Sequence, residues 1–333
     1  MPRLILGLLA LLFATAAAAQ TKFPFRLNWT ASGEHSAYFV AKEKGFYREE
    51  GLDVEILDGS GSGTVLQLAA NGSSPVIQAD AATMMRGVTS GMPVKAVAVP
   101  LQISPSAFIY RAESPRPTKV SEVKGMRIAM SVGDSGMAIF TAFLGKIGLK
   151  PDDVQLITVS STAAKDQAML SKQADALIGF FMDQGVRLEP QTGVKIGYTR
   201  LYDLAGVNAL SSAIIVNTDW LKEPRNEDAL RRFLRASQRG WQYAMENRAE
   251  AAQIFFKEKP GIPLAISRGT LDGAMTLIRT EHSKGMPMLA SAVEDWRDTQ
   301  QLLANYAGLK PLPDVNAYYT NAYLSDAPYL PKK

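Results

Sequence analysis

The sequence contains no cysteine, and this absence excludes several kinds of structure. Disulfide bridges and metal sites built on thiolates are impossible. A bacterial lipoprotein needs a cysteine directly after its signal segment, so lipid anchoring by that route is excluded as well. Histidine is nearly as scarce, with only His35 and His282. A metal site needs several ligands at fixed spacing, so we expect neither a metal nor a cofactor.

Long apolar runs are missing from the sequence after its first 20 residues. The N-terminus has Arg3, an apolar run from Leu4 to Phe13 and a stretch of small residues from Ala14 to Ala19. This order predicts a cleaved signal peptide over residues 1–19. No later run approaches the roughly 18 consecutive apolar residues of a membrane span. We therefore expect a protein exported to the periplasm, not inserted in the membrane and not lipid-anchored.

An excess of one charge is also lacking, since the formal net charge of the 333 residues is +4. The densest basic cluster stands in "ALRRFLRASQRGW", where arginines recur at helical spacing at Arg231, Arg232, Arg235 and Arg239. Nucleic-acid interfaces interleave such residues with aromatics along a stripe, whereas this pattern is typical of one solvated helix face. We expect no nucleic-acid partner.

Short apolar runs alternate with amphipathic stretches from Phe25 onward, which is typical of an α/β fold with mostly parallel sheets. The alternation is interrupted by a proline-rich, charged segment at 111–125 and starts again with the strand at 126–130. After a further strand at 211–217 it gives way to a long helical tail, which we expect to pack on the first lobe. This order predicts two lobes joined by two hinge crossings, with lobe 1 formed by 20–110 and 213–333 and lobe 2 by 111–212.

Polar turns follow the predicted strands, and ligands of open α/β sheets bind at the carboxyl ends of strands. We expect these turns to line a cleft between the lobes. In "GSGSGT", Ser60 and Gly61 could bring backbone amides to an anion, or the segment could be a plain flexible turn. The turn "SVGDSG" could cap the next helix or donate amides to a ligand; its candidates are Ser131, Gly133, Asp134 and Ser135.

Aromatic and acidic residues also stand at strand ends. We interpret Phe108 and Phe181 as core residues, whereas Trp29 and Phe180 precede polar turns and could stack on a flat ligand. The carboxylates of Asp80 and Asp183 follow apolar strands directly. Each could cap the next helix or accept hydrogen bonds from a ligand with N–H groups.

A serine hydrolase that uses Ser135 and His35 is a further alternative. The segment "GDSGM" lacks the second glycine of G-x-S-x-G, and His35 is the one histidine near a predicted strand end. His35 could equally be an ordinary surface histidine or one that supports the site from behind.

The segment "NWTASGEHSAYFVAKEKGFYREEGLDVEI" resembles the opening of periplasmic binding proteins that serve ABC importers for thiamine-pyrimidine precursors, alkanesulfonates, taurine and nitrate. The segments "GSGSGT", "GMPVKAVA" and "LRRFLRASQRGWQYAMENRAEAA" extend the resemblance over nearly the whole mature chain. It implies a type II binding protein that acts as a monomer, closes on a small solute and docks on an inner-membrane permease.

The resemblance also implies a ligand-binding set and a ligand class. The expected positions combine motif and strand-end residues: Asn28, Trp29, His35, Tyr38, Ser60, Gly61, Asp80, Ser131, Gly133, Asp134, Ser135, Phe180 and Asp183. The expected ligand is a nitrogen heteroaromatic such as a thiamine pyrimidine precursor, although "GFFMDQG" has Asp183 where the pyrimidine-binding branch has a glutamate. The alternative ligand is an oxyanion, namely a sulfonate or nitrate.

A fungal pyrimidine synthase with a cysteine-rich motif shares this fold. Because the present chain carries a signal segment and no cysteine, we expect it not to be an enzyme.

Overall fold

The computed structural model describes residues 20–114, 116–131, 134 and 136–326. The predicted signal peptide and two predicted binding positions, Gly133 and Ser135, lie outside the described residues. Within them the chain forms two five-stranded sheets with helices on their faces.

The first sheet contains four strands from the early part of the chain and one from its second half. The strands are β1 (Thr21–Arg26), β2 (Leu52–Leu57), β3 (Val76–Asp80), β4 (Val94–Leu101) and β10 (Ser212–Asn217), in the order β2-β1-β3-β10-β4. The strands β1, β2 and β3 pair in parallel, and β10 is antiparallel to both of its neighbours. The carboxyl ends of the parallel strands therefore lie at one edge, where the predicted turns follow.

The second sheet repeats this plan. Its strands are β5 (Ser106–Arg111), β6 (Arg127–Ser131), β7 (Gln155–Val159), β8 (Ala176–Phe180) and β9 (Ile196–Arg200), in the order β7-β6-β8-β5-β9. Here β5 is the strand that runs antiparallel to its neighbours. The prediction of an α/β chain with two mostly parallel sheets is confirmed.

The helices follow the strands in the predicted alternation. The first lobe has α1 (Ser36–Glu43), α2 (Phe46–Glu49), α3 (Ser62–Ala70) and α4 (Ala81–Thr89), and the second has α5 (Gly136–Lys146), α6 (Thr162–Leu170), α7 (Gln184–Thr192) and α8 (Leu201–Ala205). Gly45 has a φ of 76° and separates α1 from α2. Only glycine adopts this left-handed conformation without a steric cost.

The chain passes between the two sheets at residues 102–105 and 206–211. The predicted lobe boundary between residues 110 and 111 relied on the charged, proline-rich segment that follows it, whereas the strand pairing puts β5 in the second sheet. The exact division into lobes stays a prediction. The backbone N–H of Ser104 donates to Asn208 Oδ1 at 3.2 Å, so the two crossings are hydrogen-bonded to each other.

The tail forms α9 (Pro224–Glu246), α10 (Arg248–Glu258), α11 (Leu264–Met275) and α12 (Val293–Ala307). As predicted, α9 packs on the first lobe, where the ring of Phe233 stacks on Phe23 with centroids 4.6 Å apart. In contrast, α12 packs on α5 of the second lobe, with the Tyr306 ring against Gly145. The tail therefore contacts both lobes.

The helices of the described residues include none with the length and apolarity to cross a bilayer.

The loop before α12 is fixed to that helix by a histidine and carboxylate pair. His282 Nδ1 lies 2.9 Å from Asp295 Oδ1, and Thr280 Oγ1 donates to Asp295 Oδ2 at 2.7 Å. Asp295 is buried, and its hydrogen bond raises the pKa of His282. A base whose pKa is higher in the folded state stabilises that state while it is protonated.

We expect His282→Gln to change the pH dependence of stability. The contribution of His282 is full below pH ~6.5 and is lost as the pH rises through its raised folded-state pKa. Urea unfolding at pH 5.5 and pH 9 should therefore show a larger loss of free energy for the variant at pH 5.5. Every other titrating group is common to both proteins, and an equal loss at both pH values would contradict this role.

Candidate functional site

The turn after β1 is held by a buried hydrogen-bond network around His35. The Ser32 N–H lies 3.1 Å from His35 Nδ1, which makes Nδ1 an acceptor and leaves the ring proton on Nε2. His35 Nε2 then donates to Asn28 Oδ1 at 3.0 Å. The same oxygen lies 3.4 Å from Gln78 Nε2, and Tyr38 Oη donates to Gln78 Oε1 at 2.7 Å. The network thus fixes the position of the Asn28 amide.

His35 is fully buried, and this burial lowers its pKa to about 3. The imidazole is therefore neutral at physiological pH, with both ring nitrogens engaged. It is not free to take a proton from a serine, as the hydrolase alternative would need. Tyr38 is equally buried. His35 and Tyr38, both predicted as site residues, are buried beneath the turn and stabilise it together with Gln78. The sequence pattern indicated Gln78 only as part of a strand.

Trp29 and the glycine loop after β2 lie side by side. Trp29 is 46% exposed, and a Cβ built on Gly61 would be 3.7 Å from its Cζ3. Gly61 has a φ of 119°, which favours glycine. Its N–H donates to Asn28 O at 2.8 Å, and the Gly59 N–H donates to Trp29 O. These amides join two loops, so the groups left to face a ligand are the indole ring and the exposed Ser60.

Glu34 is a site residue that the sequence analysis did not select. Its carboxyl lies 3.4 Å from His35 Nε2 and is 11% exposed. Burial and, to a smaller extent, the negative charge of Asp183 raise the pKa of Glu34 to about 8. Asp183 follows β8 of the second lobe, so the charge of an acid in that lobe acts on an acid of the first. The available signal was an acidic residue directly before the turn histidine.

Asp183 stands directly before α7 without capping it. Arg187 Nε donates to Asp183 Oδ1 at 3.0 Å, and its Nη2 donates to Asp166 Oδ2 at 2.7 Å. The Asp183 side chain is 36% exposed. One carboxylate oxygen is therefore engaged by Arg187, while the other can reach a ligand.

Asp80 behaves as the alternative interpretation anticipated, since it caps α4. Its Oδ1 accepts hydrogen bonds from the Thr83 N–H at 2.8 Å and the Thr83 hydroxyl at 3.0 Å. Burial raises the pKa of Asp80 to about 6. Beside it, Ser212 pairs with Asp80 between β10 and β3, and its buried Oγ has no partner within the described residues. This edge of the first sheet thus has an unused hydroxyl.

The first turn of the second lobe contains a buried ion pair. Ser131 Oγ donates to Asp134 Oδ2 at 3.0 Å, and the Gly136 N–H donates to Asp134 Oδ1 at 2.9 Å. Lys165, a buried residue of α6, contacts the same carboxylate and also donates to Ile178 O at 2.9 Å. Asp134 therefore binds the N-terminus of α5, and the positive charge of Lys165 compensates its negative charge. Lys165 was missed because its helix reads as solvated.

Phe180, the predicted aromatic at the end of β8, mainly contacts the protein core. Phe180 is half-buried against the core, and its N–H donates to Gln184 Oε1 at 2.9 Å. The neighbouring Phe181 is buried, as expected for a core residue. Of the two aromatics proposed for stacking, Trp29 is the more exposed.

The charges around this region are predominantly negative or paired. The cations Lys165, Arg187 and Lys259 each contact a carboxylate. The negative charge of Asp183 acts on Glu34, and one of these cations, Arg187, lies beside Asp183. The site is therefore suited to a ligand with N–H donors or a basic nitrogen. Within the part of the chain that the structure describes, there is no group of three or more metal-ligating side chains.

The helix α11 packs closely against both lobes at two glycines, where there is no room for a side chain. A Cβ built on Gly33, in the turn of the first lobe, would lie 2.1 Å from Ser267 O of α11. A Cβ on Gly273 would lie 2.7 Å from Met182 Cβ of the second lobe. Gly33 lies two residues before His35, and Met182 directly precedes Asp183. The contacts of α11 therefore set the distance between the two halves of the site.

The sequence of this chain is similar to a family model and to several known proteins. A family model described as "NMT1/THI5 like" matches residues 32–251. A Legionella pneumophila protein named 4-amino-5-hydroxymethyl-2-methylpyrimidine phosphate synthase is 24% identical over 309 residues, which is 91% of this chain and 92% of that protein. The riboflavin-binding protein RibY of Chloroflexus aurantiacus is 26% identical and covers 98% of each chain.

Solved structures agree with this assignment at the level of the fold. The periplasmic aliphatic sulphonate binding protein SsuA of Escherichia coli superposes with a TM-score of 0.69 at 14% identity, over 95% of this chain and 96% of that one. This likeness confirms the predicted periplasmic-binding-protein fold.

The expectation that the chain is not an enzyme is wrong as an inference from its sequence. It relied on the missing cysteine motif, yet curated relatives from yeast, a rust fungus and Legionella, at 24–26% identity, are named as pyrimidine phosphate synthases. Similarity to these proteins covers 91% of the chain. A missing cysteine therefore does not separate this chain from catalytic relatives.

We expect Gly273→Val to force the lobes apart, because the added side chain would overlap Met182. Overpacking of this kind costs about 1–3 kcal/mol in free energy of unfolding. Urea unfolding and small-angle scattering should show lower stability and a larger radius of gyration. Gly261→Val is the matched control, since its Cβ would meet nothing within 4 Å. Identical results for the two variants would contradict the role of α11.

Proposed function

Because the chain belongs to the NMT1/THI5-like family, we propose that it is an exported solute-binding protein that captures a small nitrogen heteroaromatic, of the class of thiamine pyrimidine precursors. The observation that carries this proposal is one acid on each lobe beside the predicted turns: Glu34 lies 3.4 Å from His35 Nε2 in the first lobe, and the 36% exposed Asp183 follows β8 in the second. The exposed ring of Trp29 belongs to the same turn as Glu34 and offers a stacking surface.

The protonation state of Glu34 suits an aminopyrimidine. With a pKa of about 8, Glu34 is largely protonated at neutral pH. A carboxylic acid offers one O–H donor and one carbonyl acceptor, which match a ring nitrogen and the adjacent amino group in two parallel hydrogen bonds. Asp183 can accept a further N–H from the other side. The neutral His35 holds the turn without adding a charge.

The names of relatives support the same ligand class. The Legionella relative is named for a pyrimidine phosphate, and RibY is named for riboflavin, which is also a flat nitrogen heteroaromatic. An oxyanion such as a sulfonate, taurine or nitrate is less compatible with this site. It would lie beside Asp183 and Glu34, while the nearby cations are already paired with carboxylates.

Transport follows from closure of the lobes. A solute that contacts Glu34 of one lobe and Asp183 of the other binds the closed state more tightly and increases its population. In this proposal the protein acts as a periplasmic monomer that presents the closed form to an ABC permease in the inner membrane. The predicted signal peptide over residues 1–19 would export it.

We expect Glu34→Gln to keep solute binding and Glu34→Ala to weaken it. Glutamine retains one donor and one acceptor, so the affinity of the Glu34→Gln variant for 4-amino-5-hydroxymethyl-2-methylpyrimidine should stay within a few fold of the wild-type affinity. The wild-type affinity should fall above pH ~8, and the affinity of the variant should not. The alanine variant should bind about tenfold more weakly or worse, which corresponds to ~1.4 kcal/mol. Isothermal titration between pH 6.5 and 9.5 measures both effects.

The same two variants test the oxyanion alternative. Above pH ~8, where Glu34 is ionised, its removal from an anion site should strengthen the binding of taurine, methanesulfonate or nitrate, and should do so equally for glutamine and alanine. Stabilisation of the wild-type protein by these anions and not by pyrimidines would overturn the proposed ligand class. Glu43→Gln is the matched control, because this exposed acid of α1 lies away from the turn.

Trp29→Leu should weaken binding of the pyrimidine and abolish part of the ligand-induced change in tryptophan fluorescence. Loss of an aromatic stacking partner costs about 0.5–1.5 kcal/mol beyond the lost contact area. Tyr202→Leu, a change at another exposed aromatic, is the control. Equal affinities for the wild type and Trp29→Leu would show that the ligand does not stack on this ring.

A second candidate function is synthesis of a pyrimidine phosphate, which the names of the yeast and Legionella relatives favour. The two functions differ in mass balance. A binding protein releases its solute unchanged in a 1:1 amount on denaturation, whereas a synthase yields a pyrimidine phosphate that was absent from the input. Mass spectrometry of the purified protein before and after incubation with a cell extract distinguishes them.

A further inference from the structure

Two consecutive residues of α6 bring opposite charges into the interior of the second lobe. Both Lys165 and Asp166 are buried, although charged side chains of a helix usually face solvent. Lys165 pairs with Asp134 in the turn after β6, whereas Asp166 pairs with Arg187 of α7. Through Arg187, Asp166 is connected to Asp183, the acid of the candidate site in this lobe.

Arg187 has an acceptor for each of its three side-chain nitrogens. Its Nε donates to Asp183 Oδ1 at 3.0 Å, and its Nη2 donates to Asp166 Oδ2 at 2.7 Å. The Nη1 group lies 3.4 Å from Gln191 Oε1. Two carboxylates therefore share one guanidinium group, and the three charged groups together keep one negative charge in excess. The cation itself is not available to a solute.

Stability does not explain why a carboxylate stands at position 166. Asp166 Oδ1 is buried and has no hydrogen-bond partner among the described residues, and burial raises the pKa of Asp166. A buried ion pair with an unsatisfied oxygen contributes little net stability. The charge balance beside Asp183 gives a different reason for this residue.

We propose that Asp166 is a positioning residue that sets the selectivity of the cleft against anionic solutes. Without its charge, the positive charge of Arg187 is opposed only by Asp183, and a guanidinium group of this kind attracts oxyanions. With it, the cation is compensated from behind, and the cleft keeps the negative charge of Asp183. Asp166 touches no solute and acts through Arg187. This inference rests on the proposed function, because it assumes that the solute binds beside Asp183.

The variant Asp166→Asn tests the proposal, because asparagine keeps an acceptor for Arg187 and removes only the charge. Isothermal titration of the whole mature protein compares 4-amino-5-hydroxymethyl-2-methylpyrimidine with methanesulfonate and nitrate, in about 20 mM salt to limit screening. We expect the variant to bind both anions about three- to tenfold more tightly than the wild type, and the pyrimidine about two- to threefold more weakly. A loosened turn would weaken the binding of all three solutes, so the opposite signs separate selectivity from a structural role.

Two further variants serve as controls. The double variant Asp166→Asn with Arg187→Gln loses the cation as well, so its anion affinity should return to about the wild-type value. Asp175→Asn removes the carboxylate of another ion pair of this lobe, whose oxygen lies 2.6 Å from Arg127 Nη2. Asp175 precedes β8, whereas Asp183 follows it, so this variant should leave the affinities for all three solutes unchanged.

Three results would overturn the proposal. They are anion binding by Asp166→Asn that is unchanged or weaker than in the wild type, a gain in anion affinity that persists in the double variant, or an equal gain in Asp175→Asn. Nitrogen-15 spectra of the arginine side chains in the ligand-free wild type add a measurement that needs neither a variant nor a solute. The side-chain protons of Arg187 should exchange with water more slowly than those of the exposed Arg225, and equally fast exchange would contradict the double pairing.

The proposed function can fail separately from this inference. A wild-type protein that binds no pyrimidine, together with an anion gain in Asp166→Asn that depends on Arg187, would refute the ligand class and leave the role of Asp166 intact. Pyrimidine binding by the wild type without the anion gain would do the reverse.

Discussion

The site depends on one buried interaction, the hydrogen bond from His35 to Asn28. The neutral imidazole connects the turn backbone at Ser32 to the Asn28 amide, and Gln78 and Tyr38 satisfy the remaining groups. A fully satisfied network in a low-dielectric environment is rigid, and a partly satisfied one is costly. This rigid turn therefore fixes the positions of Trp29 and Glu34, the residues that face the cleft.

The same burial that neutralises the histidine also changes the acid beside it. Desolvation disfavours the charged form of either residue, so the pKa of His35 falls while that of Glu34 rises. The adjacent pair therefore carries little charge at neutral pH although both side chains are ionisable. Recognition in this turn then relies on hydrogen-bond direction rather than on net charge, and Asp183 of the second lobe supplies the negative charge.

Local patterns were sufficient to predict the two α/β units, since the alternation of strands and helices is encoded within each segment. They also pointed to the turn of Trp29 and His35 and to Asp183. They did not identify Glu34 or Lys165, because the importance of each comes from a partner far away in the sequence, in the other lobe for Glu34 and in the turn before α5 for Lys165. The strand β5 was missed although Ser104 and Pro105 separate "SAFIYR" from the preceding apolar run, because the break was assigned to the more strongly charged, proline-rich segment after it. Contacts of α11 and α12 likewise depend on distant glycines and cannot be read from helical periodicity.

The hydrogen bond between Ser104 and Asn208 joins positions that are 104 residues apart in the chain. Two neighbouring linkers that share a bond bend together, so they form one flexure with a single axis instead of two independent tethers. A proteolytic cut in either linker would give two fragments, and the pairing of β10 with β3 and β4 in the first sheet would hold them together.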